Sequence, residues 1–517
     1  MKKNIIRNTT IISAGTLLSR GLGLIRDMFF ATYFGTTAQA NAFVVAFTIP
    51  NMLRDILGEG AANAAFVPIL SEYKQKDSKK EFWKAANSIL LGLFVIVSIV
   101  IVIGIWAAPL IIKIMAPGFS KEPAVAQLAI TLTRIIFPYI LFMSFTAYSM
   151  GVLNTLDHFF APAFCRGLLN IAIIISILLF FPFLGIMCLP IGVLVGGVLQ
   201  VIVQIPVFKS KGASFAYGAD IKHPAVVRSI KLLIPRIAGS TVYQLNIIFD
   251  RMFASLFWIV GQGAIAGLYF ANRLIQLPIG VFSTAIGTAI LPVLSANFVA
   301  NDMKTLKTNL LFALKIILFV LIPASVGLMV LGKPIINILF SRGAFGGQSA
   351  ELTYSALFFY APALFAFGCN RILAFSFYSM NDTLTPVKIS AWSLVINIVL
   401  NALLMFPLKV GGLALATSIA SIFNTICLYV LLKKRIGKIK EISLYTFFMK
   451  IMISSVVMGI TGFVFSGIFL AGSIGFLTLF VRLMLILILC IIVYIITALL
   501  LGLDELKVLK KWILEKK

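Results

Sequence analysis

Long apolar runs, separated by short polar or basic stretches, recur along the whole chain. Most runs are long enough to cross a hydrocarbon core of ~30 Å as a helix. The pattern predicts an all-α polytopic membrane protein with fourteen transmembrane helices. The predicted segments span roughly residues 8–34, 38–58, 85–114, 124–153, 162–184, 186–207, 229–258, 263–296, 308–333, 350–378, 386–406, 410–433, 446–470 and 474–502.

Basic residues concentrate in every second loop. If the N-terminus is inside, the loops EYKQKDSKKEFWK, FKSKGASFAYGADIKHPAVVR and LLKKRIGKIKE also lie inside, as does the basic C-terminal tail. Opposite loops such as GTTAQA and WIVGQGA carry no charge. The positive-inside rule therefore predicts that both termini are cytoplasmic. The main exceptions are Lys113, Lys121, Lys333, Arg342 and Lys409.

The two halves of the chain repeat each other. SAGT at 13–16 matches IAGS at 237–240, VPILS at 67–71 matches LPVLS at 291–295, and Pro138 matches Pro362, each with an offset of 224 residues. Six helices per repeat bring both copies into the membrane from the same side. We therefore expect two parallel six-helix bundles with a site between them. The predicted divisions are a first bundle at 1–220, a second at 221–440, and two additional helices with a basic tail at 441–517.

The amino-acid composition excludes several classes of function. The chain is 61% hydrophobic and 12% charged, with a net charge of +26. Its basic residues are scattered between apolar runs, so topology explains them better than nucleic-acid binding. Five cysteines without CxxC spacing suggest small core residues, and two histidines cannot form a zinc site. We expect the first helix to be retained, since no cleavage site follows a short apolar core.

The run SRGLGLIRDMFF places Arg20, Arg26 and Asp27 inside the first predicted helix. An arginine at this depth costs at least ~2.5 kcal/mol on insertion scales. One interpretation is that the arginines bind a large anionic group, because guanidinium matches phosphate oxygens in bidentate geometry. The other is that they form buried ion pairs with Asp27, Asp55 or Glu59 that fix helix packing.

A comparison of the two halves of the chain favours the interpretation that the arginines bind an anionic group. In the repeat alignment Arg20 corresponds to Gln244, and Arg54 corresponds to Pro278. Positive charge is therefore concentrated in the N-terminal half. Glycines and prolines within helices, among them Gly60, indicate bent helices that flex during alternating access.

The stretches SRGLGLIRD, FGTTAQANAFVVAFTIPNMLRDILGEGAANAAFVPILSEY and LYFANRLIQLPIGVFSTAIGTAILP resemble the MurJ (MviN) family of bacterial lipid II flippases. This family belongs to the multidrug/oligosaccharidyl-lipid/polysaccharide (MOP) exporter superfamily. The resemblance implies that cavity arginines engage the substrate and that Glu59 lies near the gate, with Asp27 and Gly60 as further gating candidates. The implied substrate-binding residues are Arg20, Arg26, Arg54 and Arg273. Many relatives have aspartate where this chain has Asn41 and Asn272.

The resemblance also implies a substrate, a location and partners. The substrate would be lipid II, an undecaprenyl-diphosphate-linked disaccharide-peptide, moved between leaflets of the bacterial cytoplasmic (inner) membrane. Membrane lipids and cell-wall synthesis proteins would be its partners, and nucleic acid would not. No covalent chemistry is required.

A second candidate site concerns a coupling cation, sodium or a proton. Asp250 lies within a predicted helix, Asn397 and Asn401 are spaced i, i+4, and Thr417 lies on the next helix. These oxygen ligands suit a small hard cation, and the set resembles a cation site of some family members. The alternative is that Asp250 pairs with Arg251 while the asparagines pack helices by hydrogen bonds.

Three other functions fit the sequence less well. A multidrug exporter of the same superfamily would need carboxylates and aromatic residues in its cavity, which the arginines argue against. An exporter of another polyprenyl-diphosphate-linked oligosaccharide differs only in substrate. A membrane-embedded transferase would need a clustered acid or histidine site, for which Asp55 and Glu59 are the only candidates.

Overall fold

A computed structural model describes residues 2–56, 62–76, 78–437, 441–470 and 475–503. Within these ranges the chain forms helices and no strand. The helices are α1 (Lys2–Phe34), α2 (Ala38–Ile56), α3 (Ala62–Lys76), α4 (Lys79–Met115), α5 (Pro123–Ile136), α6 (Tyr139–Thr155), α7 (Phe160–Leu184), α8 (Cys188–Ser210), α9 (Pro224–Ala254), α10 (Phe257–Val260), α11 (Ala264–Pro278), α12 (Thr284–Val299), α13 (Met303–Phe340), α14 (Gly347–Tyr360), α15 (Leu364–Ser379), α16 (Leu384–Leu408), α17 (Val410–Ile436), α18 (Glu441–Phe469) and α19 (Phe476–Leu500).

Each predicted segment coincides with one helix or with one broken helix, so the prediction of an all-helical polytopic membrane protein is confirmed. Ten helical stretches of the described residues are long and apolar enough to cross a membrane. One of them, Phe160–Ser210, has 51 residues and contains both α7 and α8. The helix α3 was not predicted, because its second half falls in a stretch that reads as a polar loop.

Prolines break three of the segments. Pro138 separates α5 from α6, and Pro362 lies in the 3-10 turn between α14 and α15. Pro278 ends α11 and is followed by a π-helical turn, Ile279–Ser283, before α12 begins. Proline lacks an N–H donor and its ring crowds the carbonyl four residues earlier, which explains the breaks. Pro138 and Pro362 are one of the repeat pairs, so both halves are bent at the same place.

Backbone conformation repeats with the same offset. Asp157 and Asn381, 224 residues apart, both have φ 59° in the turns that precede α7 and α16. Gly185 and Lys409, also 224 apart, have φ 53° and 52° in the turns that follow these helices. The left-handed region is unfavourable for residues with a Cβ atom. Its use at Lys409 therefore indicates that the turn geometry is kept although the glycine is not.

The chain divides into two compact units, Met1–Trp258 and Ile259–Lys517. In the first, Trp83, Tyr148 and Phe208 form part of a buried core between α4, α6 and α8. In the second, Leu331, Met458 and other apolar residues bury α18 and α19 against α13. By its contacts α9 belongs to the first unit. The bundle boundaries predicted at 220 and 440 concern the sequence repeat and stay a prediction.

Candidate functional site

The helix α1 carries the intramembrane arginines and packs in parallel against α7. Gly15 faces Ala163, where an added Cβ would lie 2.8 Å from the alanine Cβ. Nearer the other end, the ring of Phe181 lies 4.7 Å from that of Tyr33 and 5.3 Å from that of Phe34. Residue numbers increase together along both helices, and small residues allow close approach. This contact fixes the position of the arginines relative to α7.

Arg26 is buried at the α1–α7 contact, with 8% of its surface exposed. Its Nη2 and Nε donate to Asp27 Oδ1 at 2.7 and 3.1 Å, and its Nη1 donates to Asn170 Oδ1 at 3.1 Å. Asp27 is 2% exposed. A buried charge is tolerated when it is paired and hydrogen-bonded. The ion pair with Asp27, which the sequence left as an alternative for Arg26, is therefore present in the structure.

Asn170 extends this arrangement and was not predicted as a site residue. Its Nδ2 donates to the carbonyl oxygen of Ser19 at 3.1 Å, while its Oδ1 accepts from Arg26. One side chain of α7 thus contacts two successive turns of α1. The available signal was a single asparagine inside the apolar run LLNIAIII, since polar residues in membrane helices commonly bond neighbouring helices.

The structure describes only some of the other residues that were predicted as site residues in the first two helices. Arg20 lies on α1, half-buried, six residues before Arg26. Arg54 lies on α2, and its side chain is outside the part of the chain that the structure describes. The gating candidates Glu59 and Gly60 also lie outside the described residues. The structure thus brings together Arg26 and Asp27.

Arg273 lies on α11 in the second unit. Its Cζ atom is 4.7 Å from the centroid of the Tyr269 ring, and its Nη2 donates to the Tyr269 hydroxyl at 3.1 Å. The two residues are one helical turn apart, so a cation–π contact and a hydrogen bond act together on the guanidinium. Tyr269, which was not predicted as a site residue, therefore orients Arg273.

Three of the four predicted cation ligands meet within the second unit. Asn401 Nδ2 donates to Asn397 Oδ1 at 2.8 Å, and Asn397 Nδ2 donates to Thr417 Oγ1 at 3.1 Å. Both asparagines are fully buried. Asp250, on α9 in the first unit, accepts from Asn246 Nδ2 at 3.5 Å. Among the described residues, no group of three or more His, Cys, Asp or Glu side chains is arranged to hold a metal ion.

Ion pairs mark the predicted cytoplasmic side of both units. Glu72 Oε2 on α3 lies 2.7 Å from Arg228 Nη2 on α9. The hydrogen bond from Arg228 lowers the pKa of Glu72, with help from Lys76. In the second unit Asp382 accepts from Arg435 and from Thr385. Burial raises the pKa of Asp382, but these bonds outweigh it and the net pKa is lowered.

Comparison with known proteins decides the family. A family model described as "Lipid II flippase MurJ" matches residues 30–500. The chain belongs to the lipid II flippase MurJ family. The "Probable lipid II flippase MurJ" of Vibrio cholerae is 36% identical over 440 residues, 83% of each chain. The "Lipid II flippase MurJ" of Burkholderia cenocepacia is 34% identical over 84% of each chain.

Solved structures agree with this assignment to the MurJ family. A lipid II flippase MurJ in an inward closed conformation superposes with a TM-score of 0.80 at 30% identity, covering 96% of this chain and 99% of that one. A multidrug resistance MATE family transporter of the MOP superfamily, inward-facing, has a TM-score of 0.68 at 15% identity over 84% of this chain and 99% of its own, which shows the shared fold. The predictions of the family and of a transporter rather than an enzyme are confirmed.

Proposed function

We propose that this chain moves lipid II from the inner to the outer leaflet of the bacterial cytoplasmic membrane by alternating access. The observation that carries the proposal is the buried Arg26 cluster in the first membrane helix of a MurJ family member. A permanently charged guanidinium in a membrane helix suits a lipid with an anionic head group. The polyprenyl tail of such a substrate would stay in the lipid phase.

In this proposal Arg20, Arg26, Arg54 and Arg273 contact the diphosphate or its sugars. Asp27 and Asn170 already accept hydrogen bonds from Arg26. A phosphate that binds the Nε–Nη2 edge of Arg26 in bidentate geometry would replace Asp27 there, so binding and a rearrangement of this ion pair at the α1–α7 contact would be one event. Glu59, Asp27 and Gly60 are proposed to take part in gating through the same rearrangement.

A cation is proposed to couple the cycle, held by Asp250 together with Asn397, Asn401 and Thr417. The buried amide and hydroxyl oxygens of the second unit suit sodium. A proton on Asp250 would serve the same role, and the membrane potential acts on either charge. The proposal also includes cytoplasmic N- and C-termini and an association with cell-wall synthesis proteins.

Substitution of the four arginines tests the binding role. Lysine keeps the charge but loses the planar fork, so each lysine variant should impair flipping, less severely than alanine does. The measurement is translocation of labelled lipid II in vesicles containing the full chain, and rescue of cells depleted of their own flippase. Full activity in all four lysine and all four alanine variants would show that the arginines do not bind substrate.

A second lipid-linked glycan tests the alternative that this chain exports another polyprenyl-diphosphate-linked oligosaccharide. Vesicles carrying another polyprenyl-diphosphate-linked oligosaccharide should show little translocation by this chain. Equal rates for both lipids would assign it a broader substrate class, although the family match favours lipid II.

A further inference from the structure

Arg166 is a cation within a membrane helix that the site described above does not use. It is the seventh residue of α7 and is half-buried. Its Nη2 donates to Met150 Sδ on α6 at 3.0 Å. Among the residues that the structure describes, this is the one hydrogen bond found for its guanidinium. A thioether is a weak acceptor and guanidinium has five N–H donors, so Arg166 is suited to a stronger acceptor.

Arg166 lies at nearly the same depth as Arg20. The helices α1 and α7 are parallel, and Gly15 faces Ala163. Arg20 is five residues beyond Gly15, and Arg166 is three residues beyond Ala163. At a rise of 1.5 Å per residue, the two positions differ by about 3 Å along the helix axes. An arginine side chain is long enough to span that difference.

Arg20 and Arg166 also lie on the same flank of the helix pair. The contact face of α1 comprises Gly15, Ser19, Leu22, Gly23 and Arg26, and that of α7 comprises Ala163, Gly167 and Asn170. With about 100° of turn per residue, Arg20 is rotated roughly 115° from the middle of its face and Arg166 roughly 65° from its own, in the opposite sense. Because parallel helices present these faces to each other, opposite rotations lead to the same flank.

We propose that Arg166 and Arg20 form a phosphate-binding subsite that takes the diphosphate of the lipid-linked substrate. The proposal rests on the proposed function and adds a binding residue to it. Two guanidinium groups at one depth repel each other, and an anion bound between them removes that repulsion while accepting charge-assisted hydrogen bonds from both. Both residues lie on the predicted cytoplasmic side of Arg26. A head group from the inner leaflet would therefore reach this subsite before Arg26.

A binding experiment distinguishes the substrate diphosphate from the phosphate of an ordinary membrane lipid. The full chain in nanodiscs is titrated separately with lipid II and with phosphatidylglycerol. Arg166→Gln should weaken lipid II binding roughly 10- to 100-fold, as expected for loss of hydrogen bonds from a charged group, and leave phosphatidylglycerol binding unchanged. The lipid II affinity of Arg166→Lys should lie between that of the wild type and that of Arg166→Gln. Arg482→Gln is the matched control, because Arg482 on α19 also makes a hydrogen bond, to the Phe469 carbonyl oxygen at 2.9 Å.

A double-variant cycle excludes a purely structural role. If Arg20 and Arg166 bind one phosphate, the loss of lipid II affinity in the double variant Arg20→Gln/Arg166→Gln should differ clearly from the sum of the losses in the two single variants. Melting temperatures verify folding. Arg166→Met, whose unbranched stem can pack against Met150, replaces the glutamine variant if that does not fold.

The outcomes separate the two proposals. Unchanged lipid II affinity in a folded Arg166→Gln or Arg166→Met variant overturns the subsite, as does a loss confined to phosphatidylglycerol or strictly additive losses with Arg20→Gln. In each of these results the wild-type chain still binds lipid II, so the proposed function survives. A wild-type chain that binds no lipid II would overturn both.

Discussion

Asn170 accepts a hydrogen bond from Arg26 at 3.1 Å, and the two residues are 144 positions apart in the chain. The same amide donates to the carbonyl oxygen of Ser19. It therefore connects α7 to α1 at the level where α1 carries its charges. The orientation of the Arg26 guanidinium depends on this amide as well as on Asp27.

We expect Asn170→Ala to impair both stability and transport. Removing one acceptor from a buried charged group costs about 1–3 kcal/mol, and Arg26 would lose part of its orientation. Unfolding of the full chain and lipid II translocation are the measurements. Asn370→Ala is the control, since that half-buried amide of α15 donates to Ser421 Oγ at 3.0 Å. If both variants lose stability equally and keep full transport, the Asn170 amide has a packing role.

Glu72 and Arg228 provide a second prediction, because their ion pair joins α3 to the start of α9. Reversing either charge, as Glu72→Arg or Arg228→Glu, should lower the melting temperature and slow transport by placing like charges together. The double exchange should recover most of both losses. The effect on stability is expected to be small, since exposed pairs contribute little. A double variant no better than the singles would contradict a direct interaction.

Acidification should remove the contribution of this pair. The pKa of Glu72 is lowered, first by the hydrogen bond from Arg228. A carboxyl group whose pKa is lower in the folded chain stabilises the fold fully above its unfolded pKa, and the stabilisation is lost as the pH falls through the folded value. The difference in melting temperature between wild type and Glu72→Gln should therefore shrink below about pH 4.5. A constant difference from pH 7 to pH 3 would contradict this.

The sequence predicted the helical architecture because membrane helices must satisfy their own backbone, which gives long apolar runs. Pro138 and Pro362 were recognised as a repeat pair, and both prove to break their helices. The pairing of Arg26 with Asp27 was foreseen as one of two interpretations, since adjacent opposite charges in an apolar run have few other partners.

Long-range partners could not be read from the sequence. Asn170 contacts α1 across 144 positions, and no local pattern specifies that approach. Arg166 lies inside the predicted segment 162–184, but its contact with Met150 on α6 has no signal in the sequence, and α7 begins two residues before that segment, at Phe160. A proline in the first turn is compatible with a helix, so Pro162 was not a reliable boundary.

Membrane orientation is a fourth prediction. Cysteines introduced at Lys79, Lys211 and Arg435 of a cysteine-free variant should be protected from an impermeant thiol reagent in intact cells and become labelled after permeabilisation. Cysteine at Gln262, in a loop predicted to lie outside, should be labelled in intact cells. Labelling of any of the first three from outside would contradict the predicted cytoplasmic termini and the number of crossings.

The last prediction concerns ion coupling. If Asp250 holds a cation with Asn397, Asn401 and Thr417, sodium should raise lipid II transport, because a ligand shifts a conformational equilibrium only through its different affinities for the two states. Asp250→Asn should abolish the sodium dependence but leave direct lipid II binding intact, since most of the arginines lie in the other half of the chain. Asp220→Asn, at an exposed position, should change neither. Transport that ignores sodium but follows pH would assign a proton to Asp250. Insensitivity to sodium, pH and Asp250→Asn together would leave these residues with helix packing alone, as the hydrogen bonds from Asn401 to Asn397 and from Asn397 to Thr417 already allow.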